Sequence, residues 1–248
     1  MNAERPQAIL IDLDDTILDD SRNVTRCWRN ACVAHADDLH PIAPETLHDA
    51  IEKTRAWYWA DDDRHRVGRL DLTVARRDVV RLSLAALGSE NLALADRIGD
   101  HYGAHRERDI EPIDGAIDTL HWLRAQGFKT ALLTNGNAAG QRSKVTRFDL
   151  ARHFDCVLIE GELGFGKPDP RIYRLALDTI GTSPRETWMI GDNLEWDVVA
   201  PQSLGMRGIW IDTLGAGPPE HGASRPETSV RALSELPPLL SGACAKSP

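Results

Sequence analysis

The sequence predicts an α/β protein with a doubly wound parallel sheet, interrupted by an all-helical insertion. An apolar run at 8–11 opens the chain, and further short apolar runs alternate with helical patterns after Pro112. From about 19 to 108, apolar residues recur instead at three- and four-residue steps, which is the period of amphipathic helices. We therefore expect a core formed by 1–18 and 109–248, and a helical domain formed by 19–108.

The individual elements follow from hydrophobic period and from the residues that end helices. The run at 8–11 is apolar throughout, which is typical of a strand buried on both faces. In the core, Gly127 and Gly181 are expected to end helices. The helical domain is expected to hold helices near 22–37, 44–60, 72–87 and 91–106. Further strands are expected at 130–133, 156–159, 188–190 and 209–211, and a Gly- and Pro-rich loop at 213–226.

Composition argues against several classes of protein. The 248 residues include 29 basic and 38 acidic side chains, and the net charge of −9 disfavours a nucleic-acid or membrane-surface binder. No apolar run approaches the roughly 20 residues of a membrane-spanning helix, and the first residues lack the apolar stretch of a secretory signal. The four cysteines show no zinc-ligand spacing. We expect a cytoplasmic protein with reduced thiols, monomeric or homodimeric.

The first chemically informative segment is Asp12-Leu13-Asp14-Asp15-Thr16, directly after the opening strand. Ligands bind open α/β sheets at the carboxyl ends of their strands. At such a place one carboxylate can attack phosphorus while a second protonates the leaving oxygen. An acidic turn that only caps the strand is an equally good interpretation of this segment alone.

Two further segments supply groups that suit a phosphoryl oxygen. Thr134-Asn135-Gly136 follows an apolar run and offers a hydroxyl and backbone amides, although Asn-Gly also makes ordinary turns. Lys167, in a Gly- and Pro-rich stretch just before a helix, could neutralise charge on a transferring phosphoryl group. Alone, it would be interpreted as a surface lysine.

The fourth segment runs from Gly191 to Asp197 and carries two carboxylates after another apolar run. Mg²⁺ prefers one or two carboxylates together with waters and a phosphate. Asp12 and Asp192 would meet that requirement. The alternative is a helix cap, which Asp197 in particular could form.

Together the four segments resemble, in their order, the signature of the haloacid dehalogenase-like hydrolases. The resemblance covers nearly the whole chain and implies a Rossmann-like core with a helical cap inserted after the first segment. It implies that Asp12 is the nucleophile and Asp14 the general acid and then base. Pro201 departs from the small residue more usual in this family, and the opening turns of a helix tolerate it.

The remaining roles follow from the same resemblance. Thr134, Asn135 and Lys167 would bind phosphoryl oxygens, with Asp15 helping through its backbone amide. Mg²⁺ would be held by the carboxylates of Asp12 and Asp192 and by the main-chain carbonyl of Asp14, and Asp197 would support the metal waters or Lys167. The resemblance thus implies a Mg²⁺-dependent phosphatase that acts on a small phosphorylated metabolite.

Three other functions stay open at this point. A 2-haloacid dehalogenase shares the fold and the nucleophile, but that branch lacks the second aspartate and the metal. A phosphonate hydrolase uses a Schiff-base lysine from its cap, and Lys53 is the single lysine of the helical domain. A non-catalytic interaction protein on this fold need not retain the charged residues.

Substrate specificity is expected to come from the helical domain. Its candidates are Trp59, Arg66 and Arg69, in or next to a segment rich in aromatic and charged residues. Trp59 could stack on a ring, and an arginine could bind a second anionic group. The competing interpretation is that the tryptophans belong to the domain core and that the charges form a solvated turn.

Overall fold

The computed structural model describes residues 5–218, 226 and 228–244. The chain divides into two compact units. One unit, the core unit, comprises the chain up to Asp19 and from Glu111 onward. The other, the helical unit, comprises Asp20–Ile110.

The core unit is built on a six-stranded parallel sheet. Two short segments also pair as an antiparallel ribbon on either side of the helical insertion in the chain. In chain order the strands are β1 Ala8–Ile11, β2 Leu18–Asp19, β3 Glu111–Pro112, β4 Lys129–Thr134, β5 Cys156–Ile159, β6 Thr187–Gly191, β7 Arg207–Ile211 and β8 Thr228–Val230. The sheet order is β5-β4-β1-β6-β7-β8, and β2 pairs with β3.

The strand order places β1 at the point where the chain changes direction across the sheet. From β1 the chain continues to β4 and β5 on one side and then to β6 and β7 on the other. In open α/β sheets the crevice at such a switch point, outside the carboxyl ends of the strands, is where ligands bind. The predicted α/β class and its doubly wound parallel sheet are confirmed.

Helices make up the helical unit and flank the sheet of the core unit. The helical unit contains α1 Val24–Ala34, α2 Ala36–Leu39, α3 Pro44–Trp59, α4 Asp62–Gly68, α5 Leu72–Ala86 and α6 Leu92–Asp109. The core unit contains α7 Ala116–Ala125, α8 Ala138–Arg147, α9 Glu160–Leu163, α10 Pro170–Ile180, α11 Ala200–Ser203 and α12 Leu236–Cys244. Single turns of 3₁₀ helix occur at Leu150–His153, Pro184–Glu186 and Leu233–Glu235, and a π-helical turn at Leu194–Val199.

Each unit has an apolar core of its own. In the core unit, α10 packs Ile172 and Tyr173 against Ala131 and Leu133 of β4. The predominantly apolar strands therefore bury both faces of the sheet centre. In the helical unit the corresponding cluster includes Cys27 and Cys32, both free thiols. Among the described residues, no helix combines the length and the apolar character required to cross a membrane.

Two of the elements that the sequence did not lead us to expect are α4 and β8. The charged stretch beyond Trp59, expected to be a turn, forms α4, whose first turn is capped by Asp61 Oδ1 accepting from Arg64 N at 2.9 Å. Its seven residues carry no apolar repeat, so hydrophobic period could not reveal it. The edge strand β8 was not expected either, because three residues are too few for a pattern. The predicted loop 213–226 lies partly outside the described residues.

Candidate active site

The predicted site residues lie at the carboxyl edge of the sheet. Asp12 directly follows β1, Thr134 ends β4, and Asp192 directly follows β6. These three strands are neighbours and run parallel, so their carboxyl ends meet at one edge. Lys167 reaches the same place from the loop before α10, with Nζ 2.7 Å from Asp12 Oδ1. Segments more than 150 residues apart in the chain thus meet at a single site.

Lys167 is the electrostatic centre of this site. Its side chain is 1% exposed, and Nζ donates to Asp12 Oδ1 at 2.7 Å and to Asp197 Oδ1 at 2.6 Å. Burial alone would lower the pKa of Lys167, but the two carboxylates outweigh that effect and raise its pKa above the ordinary value. The ammonium is therefore charged in the folded protein.

The backbone of Lys167 is held by a reciprocal pair of hydrogen bonds. Asn135 Nδ2 donates to the Lys167 carbonyl oxygen at 2.6 Å, and the Lys167 amide donates to Asn135 Oδ1 at 2.8 Å. A Cβ at Gly166 would lie 2.5 Å from Asn135 Oδ1, so only glycine leaves room for this pairing. The Asn135 side chain thereby joins the end of β4 to the loop that carries the lysine.

Asp197 is a fully buried partner of Lys167. It lies on the π-helical turn, and its Oδ2 accepts from the Asn193 amide at 3.0 Å. A Cβ built on Gly191 would come within 2.2 Å of that oxygen, so the glycine at the end of β6 makes space for the carboxylate. Both oxygens of Asp197 are therefore already occupied, one by the lysine and one by a backbone amide.

Asp14 is held by two residues of α8. Lys144 Nζ donates to Asp14 Oδ1 at 2.7 Å, and Gln141 Nε2 donates to Asp14 Oδ2 at 2.7 Å. Gln141 Nε2 also lies 2.5 Å from Thr134 Oγ1, which accepts from it. Sequence reasoning missed both α8 residues. A usable signal was their spacing of three on the helix that follows Thr134-Asn135-Gly136, since this spacing places them on one face.

The turn after Asp14 has an unusual backbone conformation. Asp15 has φ of 57°, in the left-handed region, where Asp is tolerated better than most side chains. Its amide donates to the carbonyl oxygen of Leu18 at 2.7 Å, and Asp14 and Leu18 form an isolated β-bridge. The chain therefore doubles back immediately after the second aspartate.

Three carboxylates of the site are close enough to share a cation. One oxygen from each of Asp12, Asp192 and Asp197 lies within 4.8 Å of the other two. Burial, and less strongly Asp197, raises the pKa of Asp12 to about 6, although Lys167 opposes the shift. Burial, followed by Asp12 and Asp197, raises the pKa of Asp192 to about 8. With all three carboxylates ionised, they and the Lys167 ammonium together carry a net charge of −2.

The donor set of this cluster fits a hard divalent cation. All candidate ligands are carboxylate oxygens, which Mg²⁺ prefers over nitrogen and sulfur. Among the described residues, no hydrogen-bond donor reaches the side chain of Asp192, so both its oxygens can act as ligands. Asp197 is committed to Lys167 and Asn193. The oxygens best placed to receive a cation are therefore those of Asp12 and Asp192.

The candidates for specificity lie in different surroundings within the helical unit. Trp59 ends α3 and lines a cavity formed by α1, α3, α5 and α6. Arg66 lies on the exposed side of α4, with Nη2 3.3 Å from Asp63 Oδ1. Arg69, at the end of α4, has Nη1 3.5 Å from His65 Nδ1. Neither of these arginines lines the cavity that Trp59 lines.

Comparison with known proteins identifies the family of this chain. Residues 6–205 match the family model described as haloacid dehalogenase-like hydrolase. The chain is 36% identical to a phosphoserine phosphatase of Thermus thermophilus, over 92% of this chain and 96% of the relative. It is 27% identical to (S)-2-haloacid dehalogenase 1 of a Pseudomonas species, over 94% of this chain and 96% of the relative. A HAD-hydrolase from Bacillus subtilis, solved with magnesium, superposes with a TM-score of 0.71 at 23% identity, covering 96% of this chain and 99% of that one.

The fold is a doubly wound parallel sheet with a carboxylate, that of Asp12, directly after its first strand. The chain belongs to the haloacid dehalogenase-like hydrolases. Its curated relatives include both a phosphatase and a dehalogenase. Family membership therefore leaves the reaction to be argued from the residues of the site.

Proposed function

We propose that this protein is a Mg²⁺-dependent phosphomonoester hydrolase that acts on a small phosphorylated metabolite through an aspartyl phosphate on Asp12. The observation that carries the proposal is the pair of carboxylates in different surroundings. Asp12 is paired with the buried Lys167, while Asp14 is held by Lys144 and Gln141. Phosphoryl transfer to a carboxylate needs a nucleophile and a separate acid for the leaving oxygen, and two such groups are available here.

In the first step an oxygen of Asp12 attacks phosphorus as the ester P–O bond breaks. Lys167 reduces the repulsion between the carboxylate and the phosphate. The leaving oxygen takes the proton from Asp14. Thr134 is suited to donate its hydroxyl hydrogen to a phosphoryl oxygen, because Oγ1 already accepts from Gln141 and has only a long contact of 3.4 Å to the Asn135 carbonyl as a donor.

In the second step Asp14 acts as a general base. Its carboxylate takes a proton from a water that attacks the phosphorus of the aspartyl phosphate. The Asp12–phosphate bond breaks, inorganic phosphate leaves, and both aspartates return to their starting states. Lys144 and Gln141 fix both oxygens of Asp14, so the same carboxyl group can serve in both steps without moving far.

Mg²⁺ would be held by Asp12, Asp192 and the Asp14 main-chain carbonyl, and it would neutralise charge on the phosphate. The net negative charge of Asp12, Asp192, Asp197 and Lys167 taken together supports this assignment. The cation would neutralise the negative charge of Asp12 and Asp192. The ion pair between Lys167 and Asp197 would then remain intact.

Dehalogenation is the alternative that the relatives suggest, but the site residues favour phosphoryl transfer. A halide leaves without a proton and needs no acid, whereas Asp14 is held in place by two α8 donors. Lys53 does not support a phosphonate hydrolase, because it lies exposed on α3, while a Schiff-base lysine is usually desolvated. The geometry of Asp14 thus favours a phosphatase.

The test is a panel of phosphorylated small molecules assayed with Mg²⁺ and with EDTA, in parallel with halide release from 2-chloropropionate. We expect phosphate release that requires Mg²⁺ and falls by about 10⁴-fold or more in Asp12→Asn. Asp149→Asn, a substitution of the same kind at an exposed ion pair, is the matched control and should keep full activity. Metal-independent halide release without phosphatase activity would overturn the proposal.

A further inference from the structure

The helical unit contains a cavity of about 150 Å³ that the proposed reaction does not explain. Its walls come from four helices, α1, α3, α5 and α6, and from Asp20 just before them. Apolar and aromatic side chains form most of the lining, and three arginines contribute the charge. The lining residues are Asp20, Val24, Trp28, Arg55, Trp59, Leu72, Arg76, Val79, Tyr102 and Arg106.

Trp28 brings an unsatisfied hydrogen-bond donor to this cavity. The residue is 2% exposed, and its ring is stacked on Tyr102 with the centroids 3.6 Å apart and the planes at 7°. Its Nε1 is buried, and no acceptor reaches it among the described residues. Buried indole N–H groups usually find a partner, because an unmade hydrogen bond is costly. An acceptor that enters the cavity would supply the missing partner.

Two of the arginines have guanidinium nitrogens that make no hydrogen bond to any described residue. Arg55 pairs with Glu52 at 2.8 Å and Arg76 pairs with Glu107 at 3.2 Å, in each case through Nη1. For both arginines the other guanidinium nitrogens make no hydrogen bond to any described residue. Arg106 differs, since it binds both carboxylate oxygens of Asp20. Arg55 and Arg76 are each paired with a glutamate that does not line the cavity, and each still has guanidinium N–H groups that a ligand in the cavity could use.

Arg76 is held close to α6 by a glycine. A Cβ at Gly103 would lie 2.6 Å from Arg76 Nη1, so a larger residue there would displace the guanidinium. Arg76 Cζ lies 5.6 Å from the centroid of the Tyr102 ring, on which Trp28 is stacked. The arginine, the tyrosine and the tryptophan therefore form one continuous wall of the cavity.

We propose that this cavity binds the carboxylate of a short-chain organic acid. The carboxylate oxygens would accept from Trp28 Nε1 and from Arg55 or Arg76, and the apolar lining would hold the hydrocarbon part. A volume of about 150 Å³ has room for an acid of two or three carbons. This site does not depend on the phosphatase reaction proposed for the core unit.

The experiment uses propionate as the probe and the indole N–H signals of the ¹⁵N-labelled full chain, which has seven tryptophans. The Trp28 signal is identified by its loss in Trp28→Phe, a change that retains an aromatic ring against Tyr102. We expect the Trp28 signal to shift saturably with propionate and not with propionamide, the neutral isostere. Absence of a saturable shift, or an equal shift with the amide, would overturn the proposal.

Two variants test the arginine wall. Arg76→Gln and Gly103→Ala should each weaken propionate binding about tenfold or more, because each removes or displaces a charged donor. Arg97→Gln is the matched control: it lies on α6, pairs with Asp38 at the surface and does not line the cavity. Equal losses of affinity in Arg97→Gln and Arg76→Gln would contradict a site at this wall.

The carboxylate could belong to the substrate or to a separate effector, and kinetics distinguish the two. Phosphoglycolate and ethyl phosphate differ in one carboxylate. If Trp28→Phe raises KM about tenfold for phosphoglycolate and leaves it unchanged for ethyl phosphate, the substrate supplies the carboxylate. If the variant loses propionate binding but the ratio of the two KM values stays unchanged, the site belongs to an effector. Both results support a carboxylate site, and propionate binding can be measured even if neither ester is hydrolysed.

Discussion

Lys144 Nζ lies 2.7 Å from Asp14 Oδ1 and forms an ion pair across 130 residues of sequence. Both side chains are largely removed from solvent, 15% and 27% exposed, so the pair is weakly screened. Lys144 thus orients the carboxyl group of Asp14. We regard Lys144 as a positioning residue, which acts on the reaction through Asp14.

Replacement of Lys144 by Met should impair the step that Asp14 performs. We expect kcat to fall about 10- to 100-fold with KM nearly unchanged, since the substrate contacts stay in place. The pH dependence of kcat should also shift, because the acid has lost its cationic neighbour. The measurement is kcat and KM as a function of pH with an active phosphomonoester.

Lys129→Met is the control for this variant. Lys129 is an exposed lysine of the same unit whose Nζ donates to the Gly181 carbonyl at 2.6 Å, away from the site. It should leave the pH profile unchanged. A Lys144→Met enzyme with the wild-type pH profile would show that the ion pair has no part in proton transfer.

Asp197→Asn should destabilise the protein because it breaks a buried ion pair. Asp197 is fully buried, and Lys167 would keep only Asp12 as a charged partner. Loss of a hydrogen bond to a charged group costs about 1.5–3 kcal/mol. Denaturant unfolding should show a loss of this size, against less than about 1 kcal/mol for Asp149→Asn at an exposed pair. Equal losses would contradict the role of Asp197.

The stability of the metal-free protein should fall as pH rises from about 4 to 8. The folded-state pKa values of about 6 for Asp12 and about 8 for Asp192 lie above the ordinary 3.8. The folded protein therefore binds protons that the unfolded chain has released, and this contribution is lost as pH passes each folded-state pKa. Asp192→Asn should flatten the decline towards pH 8. Thermal unfolding in EDTA across this range is the measurement, and a rise in stability would contradict the assignment.

Addition of Mg²⁺ should reverse this decline. A cation held by Asp12 and Asp192 would compensate their charge in the folded state only, so it should raise the melting temperature more at pH 8 than at pH 5. Asp192→Asn should lose most of that response. Asp178→Asn, a change at an exposed aspartate of α10, should keep it. A response to Mg²⁺ that is equal in Asp192→Asn and Asp178→Asn would place the cation elsewhere.

The sequence predicts those parts of the molecule that depend on the local pattern of apolar residues. The apolar run at 8–11 and the alternation after Pro112 indicated the parallel sheet, because buried strands and amphipathic helices have different periods. The positions of Asp12, Thr134 and Asp192 after strands then indicated one common edge. A parallel sheet brings its strand ends together whatever the length of the connections.

The contacts that long-range packing determines could not be predicted. Gln141 and Lys144 are ordinary polar residues of a helix until α8 packs beside the end of β1, 127 and 130 residues away from Asp14. The same holds for the wall formed by Trp28, Tyr102 and Arg76, since three separate helices have to come together to make it. Trp59 was singled out from the sequence, whereas the cavity that it lines was not.

The central claim is that Asp12 carries the phosphoryl group during the reaction. The most direct measurement uses Asp14→Asn with p-nitrophenyl phosphate and Mg²⁺, because this leaving group departs without a proton while hydrolysis of the intermediate is slowed. After acid quench and peptide mass analysis, we predict that the peptide containing Asp12 carries the mass of one phosphoryl group, and that Asp12→Asn abolishes it. Turnover of the ester by Asp14→Asn with the phosphoryl group on another residue would contradict the account.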